Sequence, residues 1–202
     1  MTYIEWLTLA GLCFLGAASP GPSLAVMIEQ TLKGGRNQGM IAAVAHGVGV
    51  GVYALLAALG LAVVVQQTPW LFDGLRWLGA LFLLFLAYQS FRSPMAFGEA
   101  EAGHTVSSRQ GVVTGFLTAF LNPKLAIFFL AVYTQFVTLE TPMMQKLGMA
   151  GVSASVDALW YLAVVMMVSH PKVMAKLKQN AEALQRVFGV LLVLVAVRVI
   201  LQ

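Results

Sequence analysis

Six stretches of this chain are each apolar for about the 20 residues that a helix needs to cross the hydrocarbon core of a bilayer. They run roughly over 4–31, 38–65, 70–91, 111–138, 143–169 and 183–201. Inside lipid every backbone N–H and C=O must find a partner within the chain, so runs of this length are read as helices. Composition agrees: 59% of residues are hydrophobic and 10% charged, against roughly 25% charged in soluble domains. The expected fold is an all-α membrane protein with six transmembrane helices in one domain, 1–202.

Two of the six stretches are interrupted by proline, about half a chain apart. The first interruption is Ala18-Ser19-Pro20-Gly21-Pro22-Ser23 and the second is Leu121-Asn122-Pro123-Lys124. An interrupted helix leaves unpaired backbone groups, each costing several kcal/mol in lipid, and is tolerated where it lines an enclosed or watery cavity. Breaks at matching places in two halves mark a secondary transporter built from an inverted repeat. The expected repeats are 1–91 and 111–202. Between them the segment 92–110, with Pro94, Gly98, Gly103 and several charges, reads as an exposed loop.

Basic residues set the expected orientation. Lys33, Arg36, Arg92, Arg109, Lys172, Lys176, Lys178 and Arg186 fall on one side, and Arg76, Lys146 and Arg198 on the other. Eight against three predicts both termini outside and the first, third and fifth loops in the cytoplasm. This bias explains the net charge of +4 without nucleic acid as a partner. The alternation of Lys with Val173, Leu177 and Leu184 over 171–187 predicts a segment lying along the cytoplasmic interface. Met1-Thr2-Tyr3-Ile4-Glu5 has no basic n-region, so the first stretch is expected to be a retained span. Trp6, Trp70 and Trp77 fit an interfacial belt near the outer face.

Asn122-Pro123 has the form of a helix start, with Asn as the cap and Pro in the first turn. Ser19 or Ser23 is expected to cap the helix at the first break. Each restarted helix presents free N–H groups and a positive dipole end that suit a carboxylate. Lys124 adds a positive charge beside one of them, and a lysine within an apolar span normally faces a cavity or a counter-charge. Asp157, in the middle of the fifth stretch, is its natural counterpart. It could pair with Lys124, hold a substrate ammonium group, carry a coupling proton or serve a structural hydrogen bond. His46 is a second coupling candidate, since imidazole is the side chain best suited to exchanging protons in the physiological range, although a histidine so placed more often bonds a backbone carbonyl. Glu29 and Lys33 read as an interfacial ion pair. Gly47 and Gly51 give the spacing of close helix contact, within the bundle or at a homodimer interface. Cys13 is the single cysteine, which excludes an intrachain disulfide or a two-thiol relay. His104 and His170 are too far apart in loops to suggest a metal site, and no cofactor motif is present.

These motifs resemble the LysE/RhtB family of amino-acid exporters. The likeness rests on Ala18-Ser19-Pro20-Gly21-Pro22 followed by Lys33-Gly34-Gly35-Arg36. It extends to Asn122-Pro123-Lys124 with Ala126-Ile127-Phe128-Phe129-Leu130 and Gln135-Phe136-Val137. Leu78-Gly79-Ala80, Leu86-Ala87-Tyr88, Phe188-Gly189 and Arg198 also fit, so the likeness covers essentially the whole chain. It implies a bacterial inner-membrane protein that exports amino acids or related metabolites in exchange for protons. Two positions depart from the family. Ser23 stands where Asn or Asp is common, and Val50 and Tyr53 stand where the family often carries an aspartate and a histidine. That leaves Asp157 and His46 to carry a proton.

The expected substrate site is Ser19, Pro20, Gly21, Pro22, Ser23, Asn122, Pro123 and Lys124 with Asp157. A metal or ion exporter is the nearest alternative, but Asp157, His46 and Cys13 lie on three different stretches and make a poor ligand set. An intramembrane enzyme needs a nucleophile–base pair or metal motif, and none is visible. A helper protein without transport is the remaining class.

Overall fold

The computed structural model describes residues 1–19, 21–92, 108–170, 172, 175–176 and 179–200. Pro20, most of the expected exposed loop with Pro94, Gly98, Gly103 and His104, and Val173, Leu177 and Lys178 of the expected interfacial segment lie outside these residues. Among the described residues there are seven helices and no strand. They are α1 Tyr3–Ala18, α2 Pro22–Gln67, α3 Pro69–Arg92, α4 Ser108–Phe120, α5 Pro123–Tyr133, α6 Met143–Val168 and α7 Ala181–Ile200.

The start of α1 is fixed by a reciprocal cap. Glu5 N donates to Thr2 Oγ1 at 3.3 Å, and Thr2 N donates to Glu5 Oε2 at 2.6 Å. Although α2 is helical on both sides of Gly35, it is not one rod. Gly35 sits at φ +77°, the left-handed region that glycine enters without steric cost. Thr31 and Gly39 would be about 12 Å apart along a straight helix. Instead, a Cβ on Gly39 would lie 2.3 Å from Thr31 Oγ1. Gln38 Nε2 likewise donates to Gln30 Oε1 at 3.5 Å. The chain therefore doubles back at Gly35, giving a short arm 22–34 and a long arm 36–67.

Helices thus cover all six apolar stretches, with differences at the fourth. There α4 and α5 meet at a bend of 52°. Helix α5 stops at Tyr133, and the chain turns through 134–141 where the sequence suggested helix to 138. By length and apolarity alone, two described stretches can cross a membrane, Pro22–Val64, which doubles back at Gly35, and Met143–Val168, and the bent α4–α5 pair makes a third. The apolar parts of α1 and α3, Tyr3–Ala18 and Trp77–Gln89, are shorter.

Small residues let the helices approach. A Cβ on Gly47 would fall 2.7 Å from Ala158 Cβ and 2.9 Å from the Ala154 carbonyl oxygen, and one on Gly51 would fall 3.0 Å from Ala154 Cβ. The Gly47/Gly51 spacing is therefore used within the bundle, between α2 and α6. Helix α2 also packs on α4, and α3 packs on α7 and α5. Leu9, Met27, Leu61, Leu83 and Met149 fill the interior. Val44, Val48, Leu56, Phe85 and Leu159 face outward, an apolar exterior suited to lipid.

Candidate functional site

The two proline breaks meet. Asn122 caps α5 as the local sequence predicts, its Oδ1 accepting from Lys124 N at 2.9 Å with Pro123 in the first turn. That orientation turns Asn122 Nδ2 toward the other break, where it donates to Ser23 Oγ at 3.0 Å. Lys124 reaches the same place from α5. Its Nζ donates to the Ser19 carbonyl oxygen at 3.1 Å and also to Ser19 Oγ. Ser19, Ser23 and Asn122 are all buried.

The cap expected from Ser19 or Ser23 does not form. Gly21 occupies the N-cap of α2 in an extended conformation without a side-chain bond, and Pro22 is the first helical residue. Ser19 instead ends α1, its Oγ donating to the Gly16 carbonyl oxygen at 3.0 Å. Ser23 lies inside the first turn of α2, too late to cap it. Pro20 lies outside the described residues.

Together these ends enclose a cavity of about 10 Å³ lined by Gly16, Ser19, Gly21, Pro22, Ser23, Asn122, Lys124, Leu125 and Tyr161. Such a space holds about one water. Both electrostatic poles converge on it. The N-termini of α2 and α5 present positive ends, and the C-termini of α1 and α4 present negative ends. The Lys124 ammonium already rests on the C-terminal end of α1, where a positive charge is favoured. A carboxylate and an ammonium group could each find a matching pole here.

Asp157 is not part of that lining. Its Oδ2 lies 2.6 Å from His46 Nδ1, joining α6 to the long arm of α2. His46 is fully buried and bonds this carboxyl group, not a backbone carbonyl as such histidines more often do. Its Nε2 has no hydrogen-bond partner among the described residues. One turn along α6, Ser153 Oγ contacts Cys13 Sγ at 3.3 Å and Tyr133 Oη at 2.9 Å, so Cys13 belongs to a buried polar cluster. Glu29 and Lys33 form the expected ion pair, at 2.7 Å on the exposed surface.

Gly16, Leu125 and Tyr161 line the cavity without having been singled out in the sequence. For Tyr161 a signal existed, since it follows Asp157 by four residues and so shares its helix face.

The chain matches the family model described as LysE type translocator over residues 14–202. It is 26% identical to the uncharacterized membrane protein YrhP of Bacillus subtilis (strain 168) over 184 residues, 86% of this chain and 88% of that one. It is 31% identical to the leucine efflux protein of Enterobacter sp. (strain 638) over 133 residues, 65% of this chain and 63% of the relative. With the threonine efflux protein of Salmonella typhi it shares 25% identity over 171 residues, 83% of each. No solved structure matches the chain. With the match running from the last turns of α1 to the end of the chain and both proline motifs inside it, the chain belongs to the LysE type translocator family.

Proposed function

We propose that this protein exports amino acids, or close derivatives, from the bacterial cytoplasm across the inner membrane by exchange with protons. The observation that carries the reading is the meeting of the two breaks, with Asn122 bonded to Ser23 and Lys124 to Ser19 around one small polar cavity. Relatives described as leucine and threonine efflux proteins support the substrate class. In this reading α1 with the short arm of α2, the long arm, α3, α4 with α5, α6 and α7 are six spans in two inverted repeats. Two pairings support the symmetry: α2 packs on α6 and α3 on α7, the partners that such a repeat exchanges. Both termini face outward, following the basic-residue bias.

A substrate carboxylate draws Lys124 away from Ser19 and settles at the N-termini of α2 and α5. The substrate ammonium group takes the place vacated on the carbonyl end of α1. Because the cavity has room for about one water, the described state is closed, and a rocking of the two halves must widen it. Asp157 and His46 hold the coupling proton between them. They replace the pair that the resemblance puts at Val50 and Tyr53, and they do so across two helices.

The test is export from cells loaded with dipeptides of leucine, threonine and other amino acids. Overexpression should raise the external appearance of at least one of them, and Lys124→Ala and Asp157→Asn should abolish that rise at equal expression. Wild-type export by both variants removes these residues from the mechanism. No accelerated export of any amino acid removes the function.

A further inference from the structure

The cavity and the proton pair are separate in space but share one neighbour. Tyr161 is buried on α6, one turn from Asp157. Its ring meets the His46 imidazole edge-on, with centroids 4.9 Å apart at 73°. Its hydroxyl donates to the Ala17 carbonyl oxygen at 3.2 Å, in the last turn of α1. Tyr161 also forms part of the cavity wall, as does Ser23 in the first turn of α2. One stiff side chain therefore joins the end of α1, the wall of the cavity and the imidazole that holds the carboxyl group.

We propose that Tyr161 is the positioning residue that ties substrate occupancy of the break cavity to the proton on the His46–Asp157 pair. This inference rests on the exporter reading above. A cavity of about 10 Å³ cannot admit an amino acid unless the walls from the first half part from those of the second, α5 and α6. Tyr161 is a wall from the second half and its hydroxyl is bonded to the end of α1 in the first, so that parting turns the phenol, and the ring edge moves against His46. Stretching the 2.6 Å contact between Nδ1 and Oδ2 weakens the bond that stabilises one protonation state of the pair, and so changes how tightly the pair holds its proton. Coupling is reciprocal, so a change of proton occupancy biases the cavity in return. The titratable groups around this link come from every packed helix. They are His46 on α2, Asp157 on α6, Lys124 on α5 across the cavity, and Cys13 on α1 and Tyr133 on α5 at Ser153.

The experiment uses the full chain in liposomes with radiolabelled leucine and threonine. Two quantities are compared: exchange between equal pools without a pH gradient, and uphill movement driven by a gradient. Tyr161→Phe keeps the ring on His46 and removes the hydroxyl. Uphill movement should fall by about tenfold more than exchange does, and its pH profile should flatten. An equal fall in both, or no fall in either, overturns the inference and leaves Tyr161 as a wall of the cavity. Tyr161→Leu is read by the same ratio if the first variant does not reconstitute. Wild-type protein that moves neither amino acid, with or without a gradient, removes the exporter reading and this inference with it. Coupled wild-type transport with an unchanged ratio in the variant removes the inference alone.

Discussion

Asn122 Nδ2 donates to Ser23 Oγ at 3.0 Å across 99 positions of chain, while Oδ1 of the same side chain caps α5. The two roles can be separated by mutation. Ser23→Ala loses the bond between breaks and should cost about 1 kcal/mol. Asn122→Ala loses that bond and the cap, and should cost about 1–3 kcal/mol. The double variant should fall short of the sum by about 0.5–1 kcal/mol. Unfolding in detergent micelles measures all three. Equal costs for the single variants would mean that the cap adds nothing, and strict additivity would show that the bond does not hold the breaks together.

Gly21→Ala probes the seat of Lys124 without touching Lys124. The backbone there is extended, at φ 173°, so alanine carries no conformational penalty. Its Cβ would lie 3.0 Å from Lys124 Nζ, and the far end of a lysine can swing away. Stability should change by less than about 1 kcal/mol. Export of leucine or threonine should nevertheless drop several-fold, because the ammonium no longer rests on Ser19. Unimpaired export in Gly21→Ala, alongside a defective Lys124→Ala, would mean that the charge matters but its resting place does not.

The breaks were legible because local rules govern them: proline removes an N–H, and asparagine before proline caps a helix. The same rules failed at Ser19 and Ser23, where the register is set by how α1 ends and by what Lys124 and Asn122 donate to. Those partners come from the other half of the chain. His46 and Asp157 are 111 positions apart, and nothing in the spacing along either helix says which faces will meet. Each residue was visible as a buried titratable group, but their bond was not. Tyr161 shares a helix face with Asp157, but its reach to Ala17 depends on how α6 packs against α1.

Asp157→Asn keeps the shape and hydrogen-bonding capacity of the carboxyl group but cannot carry its proton. With protons moving inward as amino acid moves out, an acidic exterior should accelerate export by the wild type. Asp157→Asn should lose that acceleration while retaining measurable exchange. Efflux of preloaded leucine from liposomes, with the gradient imposed in each direction, gives the readout. A variant that responds to the gradient like wild type would move the proton elsewhere.

The pair also depends on how closely α4 lets α2 approach. A Cβ on Gly115 would lie 2.2 Å from the Ala42 carbonyl oxygen, a backbone atom that cannot rotate away. Ala42 precedes His46 by one turn, so pushing α4 outward there shifts the turn that presents the imidazole. Gly115→Ala should cost about 1–3 kcal/mol and blunt the response of export to a pH gradient. Gly60, on the same long arm, has nothing within 4 Å of the corresponding Cβ position. Gly60→Ala should be neutral or stabilising by up to about 1 kcal/mol, with transport unchanged. Thermal unfolding and gradient-driven efflux on the two variants side by side decide the matter. A Gly115→Ala protein as stable and as well coupled as Gly60→Ala would mean that α2 and α4 are looser than their contact implies, and that His46 is held by Asp157 and Tyr161 alone.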